Sequence, residues 1–579
     1  MERRDAKAIA KLLIEYGQRL ELAGESTYKV RAYHKAAENL LALGVPLDEV
    51  IAKGKLRDIP GVGQAIAATI LALHRDGTLP KLETLRRDVP ASVLEMLAIP
   101  GVRPEKVLQI HRQLGIETLD GLEQACRRGD LTDPKGFGPA LQAKILEGIG
   151  LMRQSHGQRL IHRAAELLER ASAQLGEAHP ELSRVALAGD YRRGCELVSD
   201  LRLVAEMADG SGIRIARLND AIALSLTDAA NYGAALLMAT GSAAHIAGLQ
   251  AIADERGLVL DEAGLRRGAK ILACKDEKAV YAALGLPFIE PELREGLGEI
   301  ELAAAKRLPK LVKDEDLRGV LHNHTDASDG AHTLEEMAEA TRSRGYSYFG
   351  VADHSKSAGY AGGLSLEQIE AQHALADRLN AAYRGEFRIF KGIESDILLD
   401  GSLDYPEEVL ASFDYVVASV HSRFRQDEEA QTARILRAVS NPYTTILGHM
   451  TGRMLLRREG YRVDVDAVLQ ACARHEVAVE INANPNRLDL DWRWHRRALD
   501  LGCRLSINPD AHSTAELDLT RWGVRMARKG GVPRERILNC LELPALARFL
   551  ERRRLRAPSA RSSTARRSGQ PRSPTKTSS

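Results

Sequence analysis

The sequence predicts a multidomain chain: an all-α N-terminal region of helix–hairpin–helix turns and, further along, a C-terminal parallel β/α barrel. Three observations carry this prediction. Residues 5 to about 150 place apolar side chains at helical spacing between short glycine turns. From Leu321 to His512, short apolar runs end in a histidine or a carboxylate and alternate with helical segments, the pattern of a parallel α/β unit. The length of 579 residues exceeds one domain, so about three to five are expected.

The first helix is expected from Ala6 to Ala23, with Ile9, Leu12, Leu13, Tyr16 and Leu20 on one face and Gly24 as its stop. Three turns then share a pattern: Ile59-Pro-Gly61-Val-Gly63, Ile99-Pro-Gly101-Val-Arg103 and Lys135-Gly136-Phe-Gly138. Each leads into a helix. Such a turn presents backbone N–H groups beside a helix N-terminus, where a DNA phosphate binds without its sequence being read. One turn alone is equally a plain connection between helices. Three together favour phosphate binding at Gly61, Gly63, Gly101, Gly136 and Gly138, although Arg103 stands where the pattern expects a glycine. On these turns the chain resembles the N-terminal region (1–80) and fingers region (81–155) of a family X DNA polymerase. In lyase-active members of that family, lysines after the first glycine turn form a Schiff base with an abasic sugar. The matching positions are Ala65 and Thr69, which carry no amine, so lyase chemistry by that route is not expected.

Ala186-Leu-Ala-Gly189-Asp-Tyr-Arg-Arg-Gly194, followed by Val198-Ser-Asp200-Leu-Arg202, resembles the same family's glycine turn and catalytic strand. The resemblance implies an α+β palm and thumb over 156–310. The palm strand should carry two aspartates two residues apart, which with a third hold two Mg²⁺ ions for nucleotidyl transfer. Asp200 is present, but its partner is Arg202. The register set by Tyr232–Leu236 and Thr240–Ser242 puts the third position at Ala223. Mg²⁺ binding and templated synthesis are therefore expected to be lost, unless another carboxylate such as Asp228 or Glu206 substitutes. The segment Ala282 to Gly296 matches the family's thumb closely.

The barrel region opens with His322-Asn-His324-Thr-Asp-Ala-Ser-Asp329, after the β-like Leu317–Leu321. Phe349-Gly-Val-Ala-Asp353-His354 follows. Glu394 succeeds Phe390-Lys-Gly-Ile, His421 closes Tyr415–Val420, His449 closes Thr445-Ile-Leu-Gly, and Asp510-Ala-His512 follows Leu505–Pro509. Helical spacing appears between these runs, as at Leu334–Arg344 and Leu366–Tyr383. Ligands at the C-terminal ends of barrel strands converge at one mouth. Imidazole and carboxylate together suit Zn²⁺ or Mn²⁺, and a carboxylate between two ions can bridge them. Any one of these histidines alone would more simply be structural; nine ligand-type residues at repeated strand ends favour a metal site. The ordered set resembles the PHP (polymerase and histidinol phosphatase) domain, here over 317–550. The resemblance implies a distorted seven-stranded barrel holding three divalent metals, Mn or Zn, or a mixture including Fe. It implies His322, His324, Glu394 and Asp510 at the first metal, Glu394, His421 and His449 at the second, and Asp329, His354 and His512 at the third. Phosphoester hydrolysis is the implied reaction, with metal-activated water as nucleophile and no protein nucleophile. Lys356, Arg423 and Arg453 lie near ligands in sequence and are candidates for phosphate contact, or simply solvated charges.

The net charge of +2 conceals a basic end: residues 556–579 carry no acids and few apolar groups, so they are expected to be disordered. Their charge could add non-specific phosphate affinity. Six scattered cysteines without a CxxC pair suggest reduced thiols and a cytoplasmic setting. No apolar signal core or membrane span is recognised. Apart from the tail, the chain resembles a bacterial family X DNA polymerase with a C-terminal PHP domain whose polymerase half is eroded. The expected function is a metal-dependent 3′-5′ exonuclease in DNA repair, acting as a monomer on DNA without sequence preference, with abasic-site cleavage as an additional activity. The alternatives are a working polymerase, a small-molecule phosphatase and a non-catalytic DNA-end scaffold.

Overall fold

The computed structural model describes residues 4–41, 43, 45–131, 137–155, 157–207, 214–218 and 221–556. These form two compact units, one built from the chain up to Leu308 with Leu455–Arg458, the other from the rest of the chain from Pro309 onward. Gly136 and the tail beyond Arg556 lie outside the described residues.

In the first unit, α1 (Ala6–Leu22) begins where the Asp5 carboxylate accepts the Ala8 N–H, and it buries the expected face of Ile9, Leu12, Leu13, Tyr16 and Leu20. Against it pack α2 (Thr27–Leu41) and α3 (Gln64–Asp76). This core continues through Leu82, past the boundary expected at residue 80. The buried Arg19 guanidinium, which donates to the carbonyls of Leu85 and Val89, ties that stretch to α1. A second core around Val107, Ile110 and Ile145 joins α4 (Pro104–Leu114) to α5 (Pro139–Gln154).

Four strands of the expected palm region follow: β1 (Leu182–Ala188), β2 (Leu201–Met207), β3 (Arg214–Arg217) and β4 (Ile222–Thr227). Their order in the sheet is β1-β2-β4-β3, with β2 and β4 parallel and the outer pairs antiparallel. The helix α6 (Tyr232–Thr240) is apolar on nearly every side and accordingly buried, with Tyr232 and Ala235 packed on Ala188 and Val204. Beyond it, buried Glu277 accepts hydrogen bonds from both Arg192 and Arg294.

The second unit is the barrel. Its strands are β5 (Gly319–Val320), β6 (Tyr348–Val351), β7 (Arg388–Asp396), β8 (Tyr415–Ser419), β9 (Thr444–Leu447), β10 (Ala478–Asn482) and β11 (Leu505–Asn508). They form one seven-stranded parallel sheet in sequential order, and a parallel bridge from Asn323 to Ala511 brings the last strand back to the first. The strand expected from Leu317 is shorter, only Gly319–Val320. The helices α7 (Leu334–Ser343) and α8 (Leu366–Ala382) each stop one residue short of the expected ends. Gly350 and Gly392 are small for a reason: a Cβ at either would collide with the fully buried Tyr415 ring, whose hydroxyl donates to Val351 O.

A helix expected from Val532 begins only at Leu543, as α9 (Leu543–Arg556). The chain before it serves the barrel instead, since buried Asn539 accepts from Ile507 N and Ser506 Oγ. Leu546, Phe549 and Leu550 of α9 pack on Tyr348, Phe390, Ile446 and Ala478, and Arg553 donates to the Thr444 carbonyl. Tyr348 and Thr444 open their strands, so α9 closes the N-terminal end of the barrel. The C-terminal ends are left for the site.

Candidate metal centre

The nine predicted ligand-type residues converge at those C-terminal ends. His322, His324 and Asp329 follow β5, His354 follows β6, Glu394 lies in β7, His421 and His449 follow β8 and β9, and Asp510 and His512 follow β11. All nine recur in four overlapping groups whose ligand atoms lie within 4.8 Å of one another. Glu394 is the hub. The Nε2 atoms of His322, His421 and His449 stand 3.1, 3.2 and 3.0 Å from its Oε1, and His354 Nδ1 stands 3.0 Å from its Oε2. His324 Nε2 lies 3.1 Å from Asp510 Oδ1, and His512 Nε2 lies 3.4 Å from Asp329 Oδ1. By proximity, His324 also joins Asp329, His354 and His512, and His322 joins Glu394 and His449. His322 and Asp510 hold φ values of 60° and 52°, strained for residues with a side chain, as at many functional sites.

Residues other than the nine hold this arrangement. Glu480, fully buried in β10, accepts from His322 Nδ1 at 2.6 Å, from the His449 backbone N–H at 2.6 Å and from Asn508 Nδ2 at 2.8 Å. Asp396 takes the Nδ1 of His421 at 2.5 Å. Carboxylates behind ligand histidines fix the ring and raise its basicity. Asp353 accepts from Thr325 N, Thr325 Oγ1, Ser328 Oγ and Gln372 Nε2, which fastens the loop carrying His324 and Asp329. A carboxylate in the otherwise apolar Val477–Ile481 run was the one sequence signal for Glu480.

The electrostatics show what the cluster requires. Burial pushes His421 down, but Glu394 and Asp396 outweigh it and raise its pKa to about 10. His512 is likewise raised to about 9 against burial by Asp329 and Asp510. Burial pushes the Glu394 and Asp510 carboxyls up, yet the surrounding histidines hold both well below the usual carboxylate range. Burial pushes His324 the other way, down to about 4, so the buried carboxylates are met by the imidazoles unevenly. His322 Nε2, His324 Nδ1 and His354 Nδ1 are buried with no hydrogen-bond partner, although carboxylate oxygens lie 3.0–3.8 Å away. Imidazole nitrogens facing carboxylates outside hydrogen-bond geometry, in a mixed N/O set, fit divalent cations.

The phosphate candidates fare differently. Arg453 is bound to Asp491 and to the carbonyls of Arg487 and Leu488, so it braces the loop after β10 and is not a free phosphate ligand. Arg487 of that loop, unremarked in the sequence, sets Nε 3.8 Å from Asp510 Oδ2. Lys356 and Arg423 are exposed.

In the first unit, Gly61 and Gly101 take left-handed φ values of 79° and 76°, while Gly63 and Gly138 are extended residues capping α3 and α5. Arg103 caps α4 at φ −81°, so its position needs no glycine. The Lys35 stem covers Gly61, and that of Lys144 covers Gly101. Ala65 and Thr69 lie in α3, with Thr69 Oγ1 donating to Ala65 O. In the palm, Arg202 pairs across the sheet with Ala223 and forms an ion pair with Asp200 at 2.5 Å. Glu206 is engaged by Arg184 and Ser183, and Asp228 accepts from Asn231. Among the described residues, no group of three metal-ligating side chains forms in this unit.

No two of the six cysteines form a disulfide, and no helix among the described residues is long and apolar enough to cross a membrane. Residues 4–79 match a helix-hairpin-helix domain, 93–150 a SAM-like helix-hairpin-helix tandem, 235–295 the DNA polymerase beta thumb and 321–484 the PHP domain. Asp510 and His512 lie beyond the last match. A probable phosphatase of Thermoanaerobacter sp. (strain X514) is 25% identical over 38% of this chain and 88% of its own. A probable phosphatase of Vibrio campbellii is 31% identical over 34% of this chain and 78% of its own. The DNA polymerase/3′-5′ exonuclease PolX of Bacillus subtilis is 32% identical over 94% of this chain and 99% of its own. With that identity along nearly its whole length, and with the helix-hairpin-helix, thumb and PHP matches along this chain, it belongs to the bacterial PolX family, family X DNA polymerases with a C-terminal PHP domain.

Proposed function

We propose that this chain is a metal-dependent DNA 3′-5′ exonuclease working in DNA repair, on a PolX scaffold that no longer performs nucleotidyl transfer. The observation that carries the reading is the surrounding of Glu394 by four imidazole nitrogens at 3.0–3.2 Å. Divalent ions, Mn²⁺ or Zn²⁺ and three in number by family resemblance, would supply activation of water and charge for the phosphate oxygens. His322, His324, Asp329, His354, Glu394, His421, His449, Asp510 and His512 would hold them. Glu480 and Asp396 keep the Nδ1 protons of His322 and His421 turned away from the cluster, leaving each Nε2 to face inward. Arg487 faces the same carboxylate wall from the rim and supplies a fixed positive charge for a non-bridging phosphate oxygen. The helix–hairpin–helix turns, with Lys35 and Lys144 beside them, would hold the DNA backbone without reading sequence.

Loss of synthesis rests on Arg202 and Ala223. A guanidinium already paired with Asp200 occupies the place of a metal ligand, and a methyl group cannot replace the third carboxylate. The likeness of the barrel to probable phosphatases favours one further reading, hydrolysis of small phosphomonoesters.

A labelled primer–template with Mn²⁺, with and without dNTPs, separates these readings. Wild type is expected to shorten the primer, and the His322→Ala/His324→Ala variant to leave it intact. Extension with dNTPs would overturn the claim about the palm. A primer intact in every lane, with turnover of a small phosphomonoester, would establish the phosphatase reading instead.

A further inference from the structure

The loop after β6 returns on itself between Ser355 and Leu364. Leu364 N donates to His354 O, Gly363 N to Ala358 O and Ser355 N to Glu394 O, so its two ends and the hub strand are joined by backbone bonds. The Ser357 side chain and N–H are both taken by Asp404, and Lys356 N donates to Tyr405 Oη. Ala358 and Ala361 point inward and are buried. Between them Tyr360 points outward with 73% of its surface exposed. A loop tied at both ends therefore presents a large aromatic ring to solvent without burying it.

The position of that ring is specific. Its centroid lies 6.1 Å from that of His354 and 6.4 Å from that of His421, at interplanar angles of 57° and 72°. Among the described residues it is the one ring other than a histidine in contact with the cluster's imidazoles. The ring thus stands within reach of the base of a nucleotide whose phosphate sits on the cluster. Aromatic side chains bind unpaired bases by stacking, and stacking is tolerant of sequence because every base has a π face.

We propose that Tyr360 is the stacking platform for the 3′-terminal nucleobase of the strand being cleaved. The inference rests on the exonuclease reading and extends it: the substrate is recognised as an unpaired 3′-terminal nucleotide, by its base as well as its phosphate.

The test compares single strands ending in thymidine with strands ending in an abasic tetrahydrofuran residue, using the full chain with Mn²⁺. Wild type is expected to favour the base-bearing end about tenfold in kcat/KM, chiefly through KM. Tyr360→Ala should remove that preference and Tyr360→Phe should keep it. A second readout needs no turnover. A strand ending in 5-iododeoxyuridine behind a non-hydrolysable terminal linkage, irradiated with the Mn²⁺-loaded protein, is expected to crosslink to Tyr360, located by mass spectrometry. A preference that survives in Tyr360→Ala, or crosslinks that all fall outside the 355–364 loop, would overturn the inference and leave the exonuclease standing. Equal loss in Tyr360→Phe and Tyr360→Ala would mean that the hydroxyl acts, which also overturns it. A wild type that trims neither strand removes the exonuclease reading, and this inference with it.

Discussion

Replacing Glu480 by glutamine keeps the shape of a buried carboxylate that stands behind two ligand histidines and changes only its charge and one acceptor. Its Oε1 accepts from His322 Nδ1 at 2.6 Å and Asn508 Nδ2 at 2.8 Å; its Oε2 accepts from the His449 N–H at 2.6 Å and Asn482 Nδ2 at 3.2 Å. An amide offers one oxygen and one NH₂, so whichever way it turns, two donors face a donor. Hydrogen bonds to a charged group contribute roughly 1.5–3 kcal/mol each, and local rearrangement recovers part of that. The cluster also loses one negative charge. A divalent ion on Nε2 carries twice the charge of a proton but lies across the ring from Glu480, so it too loses part of its electrostatic stabilisation. Metal affinity is therefore expected to fall about 10- to 100-fold, or ~1.4–2.8 kcal/mol. Competition against a chromogenic chelator measures it, with thermal melting monitored by circular dichroism as the check on folding. An affinity equal to wild type in a folded variant would refute the argument that Glu480 tunes the ligands.

Arg487→Ala should lower kcat/KM on DNA by roughly 10- to 100-fold, the loss of one charge-assisted hydrogen bond, with metal content unchanged by elemental analysis. Loss of metal in that variant would instead assign Arg487 to the integrity of Asp510. Lys35→Ala combined with Lys144→Ala should make the plot of log K against log salt shallower by about 1.8 for duplex DNA, about 0.9 for each phosphate contact removed. An unchanged slope would mean that neither lysine meets a phosphate. Glu277→Ala leaves Arg192 and Arg294 facing each other in a buried site and should destabilise the palm and thumb by roughly 3–5 kcal/mol, read as a lowered melting transition. Burial pushes the Glu277 carboxyl up, but the two arginines outweigh it and hold it below the usual glutamate range. Its stabilisation is thus complete above about pH 4.5 and lost as pH falls through the lower folded value, so the gap between variant and wild type should close in acid.

The ligand-type residues of the barrel were legible because the fold repeats one local rule, an apolar strand with a polar residue at its C-terminal end. Each strand can be read without knowing its neighbours. The helical face of α1 and the turns at Gly61 and Gly101 were legible for the same reason: spacing and glycine act over a few residues. Glu480, Asp396, Arg487 and Tyr360 were not. The bond from His322 to Glu480 spans 158 positions, and no local pattern marks a buried carboxylate as a partner for a histidine on another strand. Arg453 was misjudged from proximity in sequence, because its guanidinium turns back onto the loop it supports.

The sequence by itself determined the order of the helix–hairpin–helix, thumb and PHP regions, the nine ligand-type side chains at strand ends, and the Arg202 and Ala223 on which the proposed loss of synthesis rests. Identity and short-range spacing are properties of the chain before it folds. Only the tertiary structure decided that Glu394 is the hub, that Glu480 stands behind His322, that α9 closes one end of the barrel and that Tyr360 lies at the edge of the other. Those facts arise from strands that meet only when the sheet closes, where buried charges must find partners or fail to fold.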